Sequence, residues 1–217
     1  MQPALEHSLR EVDTPQNRLI LWAVLGVMLL GILAYMARVL RRRNAVRRLH
    51  LGIVSASIEY LQNVLIPDGM GSGLHVDYLL LTSRGVVAID LRDIRGNIFG
   101  GDQMTQWTVM TGATRTTFQN PQHALYDRVA AVRTLAGELP VEGRVLFTRR
   151  AKFPKGLPRW TLMVDSLRSD FPRVEFDAAS VLIERYRKDW EALRSAVAPS
   201  SLRQRRGFFA EVFDEGY

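Results

Sequence analysis

The chain has 217 residues, with 29 lysines and arginines against 22 aspartates and glutamates, and its formal net charge is +7 at pH 7. It contains no cysteine, which excludes a disulfide scaffold and a thiolate zinc site. With only four scattered histidines, any bound metal is expected to have oxygen ligands, which points to Mg²⁺ or Mn²⁺. The arginine-rich excess suits phosphate or anionic lipid partners.

The N-terminal part predicts one membrane-spanning helix. Residues 1–18 are polar and mixed in charge, which is typical of a short disordered tail, and residues 19–37 carry no charge. A helix over this apolar run spans about 29 Å, close to the ~30 Å hydrocarbon core of a bilayer. A buried soluble helix is seldom apolar on every face, and a signal peptide should have a basic start and a shorter apolar core. A transmembrane anchor is the best interpretation.

Arginines are concentrated directly after this run, in a basic juxtamembrane segment over residues 38–49 that contains Arg38, Arg41, Arg42, Arg43, Arg47 and Arg48. Only Arg10 and Arg18 precede the run. The positive-inside rule therefore predicts a single-pass protein of the inner or plasma membrane. Its N-terminus is expected outside and its C-terminal domain in the cytoplasm.

The rest of the chain predicts a mixed α/β domain. An amphipathic helix is expected over residues 44–65, then a β-hairpin formed by residues 74–81 and 86–92. Further strands are expected at 95–99, 106–110, 114–118, 143–148 and 160–164. Helices are expected from Pro121 to about Leu139 and for about 18 residues after Asp177, with a last amphipathic turn or two within 199–217. This order predicts one mixed sheet flanked by helices.

The predicted hairpin carries two carboxylates that are candidates for chemistry. If the turn leaves Leu81 opposite Val86, antiparallel counting puts Asp77 opposite Asp90, and alternation puts Arg92 on the same face. Two carboxylates ~5 Å apart repel by roughly 3 kcal/mol at an effective dielectric near 20, so a cation is expected between them. A divalent metal ion is the simplest choice. A register shifted by one residue, or an exposed polar face, remains an alternative.

The segment over residues 50–165 resembles the NERD (nuclease-related) domain, a relative of the PD-(D/E)xK endonuclease superfamily. The shared features are an acid on the first hairpin strand, a leucine-rich run, a glycine turn, a hydrophobic–acid–x–cation motif, two glycines, a tryptophan, an Asn-Pro pair and an apolar strand. They are Asp77, Leu79–Leu81, Gly85, Ile89–Asp90–Leu91–Arg92, Gly96, Gly100, Trp107, Asn120–Pro121 and Val145–Thr148. The resemblance implies a restriction-endonuclease-like α/β fold, with residues 166–217 as a C-terminal helical extension.

The resemblance also implies a catalytic set. Asp77 and Asp90 would bind Mg²⁺ or Mn²⁺, and the last motif position, a lysine in the superfamily, would support the attacking water. Here that position is Arg92, which can neutralise charge but cannot take up a proton at cellular pH. Glu59 resembles the helix carboxylate that completes such a metal site, although a solvent-facing helix acid is an equal alternative. Lys152 or Lys155 could reach the site in place of the missing lysine.

Three further residues are candidate nucleic-acid contacts. Gln122 and Tyr126 lie at i and i+4 and resemble a Gln–Tyr pair that holds the DNA backbone in some superfamily exonucleases. His75, expected opposite Arg92, could contact a phosphate. Ordinary surface positions are the alternative for all three. Two functions follow: a membrane-anchored, Mg²⁺-dependent nuclease, or a catalytically silent, membrane-tethered module that binds nucleic acid or protein.

Overall fold

A computed structural model describes residues 15–67, 73–172 and 176–200. The chain divides into two units, Met1–Leu49 and His50–Tyr217. The first unit is dominated by helix α1 (Pro15–Val54), whose last residues belong to the second unit. By length and composition, α1 is one helix of the described chain that could cross a membrane, and its large apolar side chains from Leu19 to Met36 are exposed. Of the predicted tail over residues 1–18, residues 1–14 lie outside the described part of the chain.

The second unit contains ten strands and three further helices in its described part. The strands are β1 (Glu59–Ile66), β2 (Leu74–Thr82), β3 (Gly85–Arg92), β4 (Gly96–Phe99), β5 (Gln106–Thr111), β6 (Thr114–Gln119), β7 (Val141–Phe147), β8 (Ala151–Lys152), β9 (Thr161–Met163) and β10 (Ala198–Pro199). The helices are α2 (Pro121–Leu135), α3 (Leu167–Asp170) and α4 (Phe176–Ala196), and a 3-10 turn covers Val164–Ser166. The amphipathic turns expected after residue 200 lie outside the described chain.

The strands form two sheets. The larger has the order β10-β1-β2-β3-β7-β9, and the smaller has the order β6-β5-β4-β8. Strands β1, β2 and β3 are antiparallel neighbours, whereas β7 runs parallel to β3 and β9 runs parallel to β7. The mixed α/β class is therefore confirmed. The expectation of a single sheet is wrong, because β4, β5 and β6 pair with one another and with β8 instead of extending the larger sheet.

The predicted helix over residues 44–65 is wrong in its second half. Helix α1 ends at Val54, and β1 begins at Glu59. Val64 and Ile66 are buried and alternate with less buried neighbours, which is the period of a strand. Strand β1 also has partners on both sides, β2 and β10, so its backbone groups are satisfied in the sheet. A short apolar pattern fits both periods, and pairing decides between them.

Helix α2 lies against β7, and this contact fixes its position over the larger sheet. Leu125 and Val129 are buried on the side of the helix that faces the strand. A Cβ added to Gly143 of β7 would lie 2.5 Å from Val129 Cγ2 and 3.0 Å from Leu125 Cγ. Only glycine therefore permits the close approach of helix and strand at this point. The helix ends at Leu135, four residues before the predicted end at Leu139.

Candidate active-site cluster

The hairpin β2–β3 has the predicted register. Leu81 pairs with Val86, and the turn consists of the two residues between the pair Thr82–Gly85. Gly85 has a φ of +111°, and a Cβ at this position would lie 2.3 Å from the carbonyl oxygen of Pro140. Glycine is thus required on both conformational and steric grounds. The register shifted by one residue is excluded for these pairs.

Asp77 and Asp90 lie just beyond the last described pair of this ladder, Tyr78–Ile89. Oδ2 of Asp77 accepts a hydrogen bond from the backbone amide of Leu91 at 2.8 Å. Burial raises the pKa of the Asp77 carboxyl; the hydrogen bond from Leu91 opposes this increase, and the charge of Asp90 adds to it. The two carboxylates therefore interact electrostatically across the two strands.

Asp90 is bound by two arginines. Its side chain is buried, with 4% exposure, and its Oδ2 accepts hydrogen bonds from Nη2 of Arg92 at 2.7 Å and from Nη1 of Arg128 at 3.0 Å. Arg128 projects from α2, and its Nε donates to the carbonyl oxygen of His75 on β2 at 2.6 Å. The Arg128 guanidinium thus connects the helix to both hairpin strands. We call Asp77, Asp90, Arg92 and Arg128 the Asp90 cluster.

The formal charge of the Asp90 cluster is zero when both carboxyls are ionised. The Arg92 and Arg128 side chains are mostly buried, so their interaction with Asp90 is only weakly screened by water. Removal of one partner from a buried ion pair of this kind strongly destabilises the fold, because the remaining charge is left without compensation. Two guanidinium groups, those of Arg92 and Arg128, supply positive charge beside Asp90.

Arg128 is the residue of the cluster that sequence reasoning missed. It lies three residues after Leu125 and four before Val132, on the apolar side of α2. An arginine within an apolar stripe is a recognisable signal, because a charged side chain there needs a buried partner. The two acids of the cluster come from the hairpin, and Arg128, which binds Asp90, comes from α2.

The structure does not bring Glu59 to the two aspartates. Glu59 is the first residue of β1 and not part of a helix, and it pairs with Leu81, four residues along β2 from Asp77. At ~3.3 Å per residue this is a separation of about 13 Å. Its Oε2 accepts a hydrogen bond from Nε1 of Trp190 on α4 at 2.7 Å. Glu59 therefore anchors the C-terminal helix to the sheet.

The candidate nucleic-acid contacts have different environments. Gln122 is 1% exposed, and its Nε2 donates to Oδ1 of Asp102 at 3.0 Å and to the carbonyl oxygen of Arg159. Tyr126 is 51% exposed, so the two residues do not form one surface. Nδ1 of His75 is 4.0 Å from Oδ1 of Asp77, and its buried Nε2 has no hydrogen-bond partner among the described residues.

The two lysines considered as replacements for the motif lysine are on the surface. Lys152 lies on β8, where it pairs with Asn97 of the smaller sheet, and its side chain is exposed. Lys155 is also exposed, and its Nζ lies 6.0 Å from the ring centroid of Phe99. Within the described chain, neither lysine forms an ion pair with Asp77 or Asp90. Arg92 and Arg128 are the cations that contact the motif acid.

The residues of the Asp90 cluster do not fit a divalent cation in this arrangement. The described residues contain no group of three His, Cys, Asp or Glu side chains placed to hold a metal. One oxygen of Asp90 is engaged by two guanidiniums, and one oxygen of Asp77 accepts the Leu91 amide. A metal bound to the other oxygens of these carboxylates would lie close to two positive charges, which opposes its binding.

The family profile described as "NERD: Nuclease-related domain" matches residues 43–148. Residues 43–148 are a nuclease-related domain. The resemblance deduced from the hairpin motif is thereby confirmed. The NERD match includes both hairpin acids, Arg92 and Arg128, and it ends at Thr148, directly after strand β7. The whole Asp90 cluster therefore belongs to the NERD domain.

The chain is also similar to the uncharacterized protein pXO1-01 of Bacillus anthracis. The two are 26% identical over 90 residues, which is 42% of this chain and 42% of the relative. This chain thus matches less than half of the relative's length. No solved structure matches the chain. The NERD domain and its own geometry are the basis for the functional argument.

The raised pKa of Asp77 predicts a pH dependence of stability. The pKa of the Asp77 carboxyl is higher in the folded protein than in the unfolded chain, where it is about 4. The protonated carboxyl therefore stabilises the fold fully at pH values below about 4. This contribution is lost as the pH rises through the folded pKa. Asp77→Asn keeps an oxygen for the Leu91 amide but does not titrate. We expect urea unfolding of Asp77→Asn to show a smaller fall in stability than wild type between about pH 4 and 8. Parallel pH profiles would contradict this expectation.

Proposed function

We propose that this protein is a membrane-anchored, nuclease-related protein that binds nucleic acid without hydrolysing it. The observation that carries the proposal is the pair of hydrogen bonds from Arg92 and Arg128 to the same oxygen of Asp90. This arrangement neutralises the motif acid inside the protein. The carboxylate is then engaged in structure rather than available to a metal ion.

The chemistry of Arg92 is a second reason to propose that the protein does not hydrolyse nucleic acid. A lysine at this motif position can exchange a proton, whereas a guanidinium stays protonated at any cellular pH. Arg92 also donates its Nη2 to Asp90 at 2.7 Å, so its charge is already compensated. Neither the acid nor the cation of the motif is free to act on a water molecule.

Nucleic acid is the proposed partner because of the family and the charge. The NERD domain is nuclease-related, and 26 of the 29 basic residues of the chain are arginines; of the formal charge of +7, residues 1–49 carry +5 and residues 50–217 carry +2. Arginine binds phosphate oxygens with two parallel hydrogen bonds, and a positive surface attracts polyanions.

The membrane anchor is proposed from helix α1. Its uncharged run over residues 19–37 has the length of a bilayer core, and the helix continues into the arginines of residues 38–49. The excess of arginine after the run supports an N-terminus outside and a NERD domain in the cytoplasm, at the inner or plasma membrane. The NERD domain would then meet nucleic acid at the membrane surface.

The test uses the purified full chain in a zwitterionic detergent. We expect labelled DNA and RNA, single- and double-stranded, to show salt-dependent binding but no cleavage with Mg²⁺ or Mn²⁺. Arg92→Lys alone should also leave the strands intact, because Arg128 still engages Asp90. Metal-dependent cleavage that disappears in Asp90→Ala would overturn the proposal in favour of a nuclease. Absence of binding to every strand at low salt would overturn its binding half.

A further inference from the structure

The segment of residues 149–160 is strongly basic and begins next to the Asp90 cluster. Its sequence, RRAKFPKGLPRW, contains five cations and no acid. Thr148, which precedes it, donates its backbone amide to the carbonyl oxygen of Arg92 at 3.1 Å. The segment therefore leaves the sheet at the strand end that carries the motif cation. We call residues 149–160 the basic segment.

Three cations of the basic segment are available to a partner. Arg149 and Arg150 are engaged by acids, Asp165 and Asp93 respectively, at 2.8 and 2.9 Å. The other three are exposed and form no ion pair with a carboxylate of the described residues: Lys152, Lys155 and Arg159. Two of the three lysines of the whole chain are in this group. Exposed cations without acidic partners in one short segment are complementary to a polyanion.

Trp160 ends the basic segment in an unusual conformation. Its φ is +59°, which is uncommon for a residue other than glycine and costs energy for a bulky side chain. The indole is nevertheless 37% exposed. The guanidinium carbons of Arg144 and Arg159 lie 5.2 and 5.8 Å from the ring centroid. A partly exposed aromatic ring is thus combined with positive charge.

The backbone around Trp160 is held on both sides. The carbonyl oxygen of Trp160 accepts the amide of Val145 on β7 at 2.7 Å. The amide of Arg159 donates to Oδ1 of Asp102 at 2.9 Å, and the Arg159 carbonyl oxygen accepts from the buried side chain of Gln122. The ring is therefore presented from a fixed position, which reduces the ordering cost of binding. Gln122, predicted to contact nucleic acid, instead supports the residue that presents the ring.

We propose that the basic segment and Trp160 bind single-stranded nucleic acid. An unpaired base stacks on the exposed part of the Trp160 ring, and Lys152, Lys155 and Arg159 bind backbone phosphates. A single strand is favoured over a duplex because its bases offer free faces for stacking. This inference rests on the proposed binding of nucleic acid and names the surface that does it.

The test measures fluorescence anisotropy of a labelled single strand of about 20 nucleotides and of the same sequence as a duplex. The full chain is used in zwitterionic detergent. Trp160→Asn removes the ring while asparagine still tolerates the positive φ. We expect it to weaken single-strand binding about 5- to 160-fold, the loss of one stacked base, with a smaller effect on the duplex. In wild type, the strand should also quench tryptophan fluorescence, and Trp160→Asn should lose this quenching.

The charge contribution is tested with Lys152→Gln/Lys155→Gln. Loss of two phosphate contacts should reduce the slope of log K against log salt concentration by about 1.4 for a single strand. The matched controls are Arg115→Gln, an exposed cation on β6, and Tyr60→Ala, an exposed aromatic residue on β1; neither should change single-strand binding. Tyr126→Ala separately tests the alternative contact on α2. Thermal unfolding checks that each variant is folded.

The outcomes separate this inference from the proposed function. If wild type binds no strand, the proposed function fails. If wild type binds but Trp160→Asn and the lysine variant bind equally well, only the surface is wrong. Loss of binding in Tyr126→Ala with none in Trp160→Asn would place the strand on α2 instead. If vesicles containing phosphatidylglycerol change the Trp160 fluorescence and the single strand does not, the surface binds lipid and the inference is overturned.

Discussion

Asp90→Ala is expected to lower the free energy of unfolding by about 3–5 kcal/mol. The Asp90 carboxylate is buried and accepts hydrogen bonds from Arg92 and Arg128. Its removal leaves two mostly buried guanidiniums without their shared partner. Urea unfolding of the full chain at pH 7, followed by circular dichroism, measures the loss.

The sign of this effect distinguishes a structural ion cluster from a metal site. In a metal site without its metal, two facing carboxylates repel, and removal of one should stabilise the fold. Asp165→Ala is the matched control, because Asp165 also binds an arginine, Arg149, but both side chains are exposed. It should cost less than about 1 kcal/mol. A gain of stability in Asp90→Ala would contradict the cluster.

The second large effect is expected from Arg92→Lys/Arg128→Ala. This variant restores the motif lysine and removes the guanidinium that α2 contributes, so the cluster loses one positive charge and Asp90 regains a free position. We expect Mg²⁺ or Mn²⁺ to raise its stability by about 2.7 kcal/mol when the metal is present at a hundred times its Kd. Thermal unfolding with and without metal measures the difference.

The control for this variant is Arg92→Lys/Arg133→Ala. Arg133 also projects from α2, but its Nη2 donates to the carbonyl oxygen of Val141 and not to Asp90. This control should gain no stability from the metal. If both double variants responded equally, or if wild type already responded as strongly, the assignment of Arg128 as the substitute cation would be wrong.

The hairpin was predictable from the sequence, whereas its register was predicted with a shift of one residue left open. Tyr78–Thr82 and Gly85–Asp90 are buried on both faces, so apolar pattern alone does not fix the register; the two-residue turn before Gly85 does, and Leu81 pairs with Val86. The start of α2 at Pro121 was predictable for a similar reason, since Asn120 and Pro121 are local signals for a helix start. Local chemistry determines both features.

The composition of the site was only half predictable. Asp77 and Asp90 come from one hairpin, whereas Arg128 is 38 residues away from Asp90 and meets it only because α2 packs on β7. Glu59 was wrongly predicted to lie on a helix, because the apolar spacing around it also fits a strand. Gln122 was expected on the surface, but contacts with two loops bury it. Tertiary packing decides all three positions.

We propose that Arg92 and Arg128 occupy the position at Asp90 where the nuclease hypothesis places a metal ion. The most direct test is a Mn²⁺ titration of the wild-type full chain, with the free ion counted by electron paramagnetic resonance. We expect no bound Mn²⁺ that depends on Asp77 or Asp90. One Mn²⁺ bound per chain, and lost in both Asp77→Asn and Asp90→Asn, would contradict it.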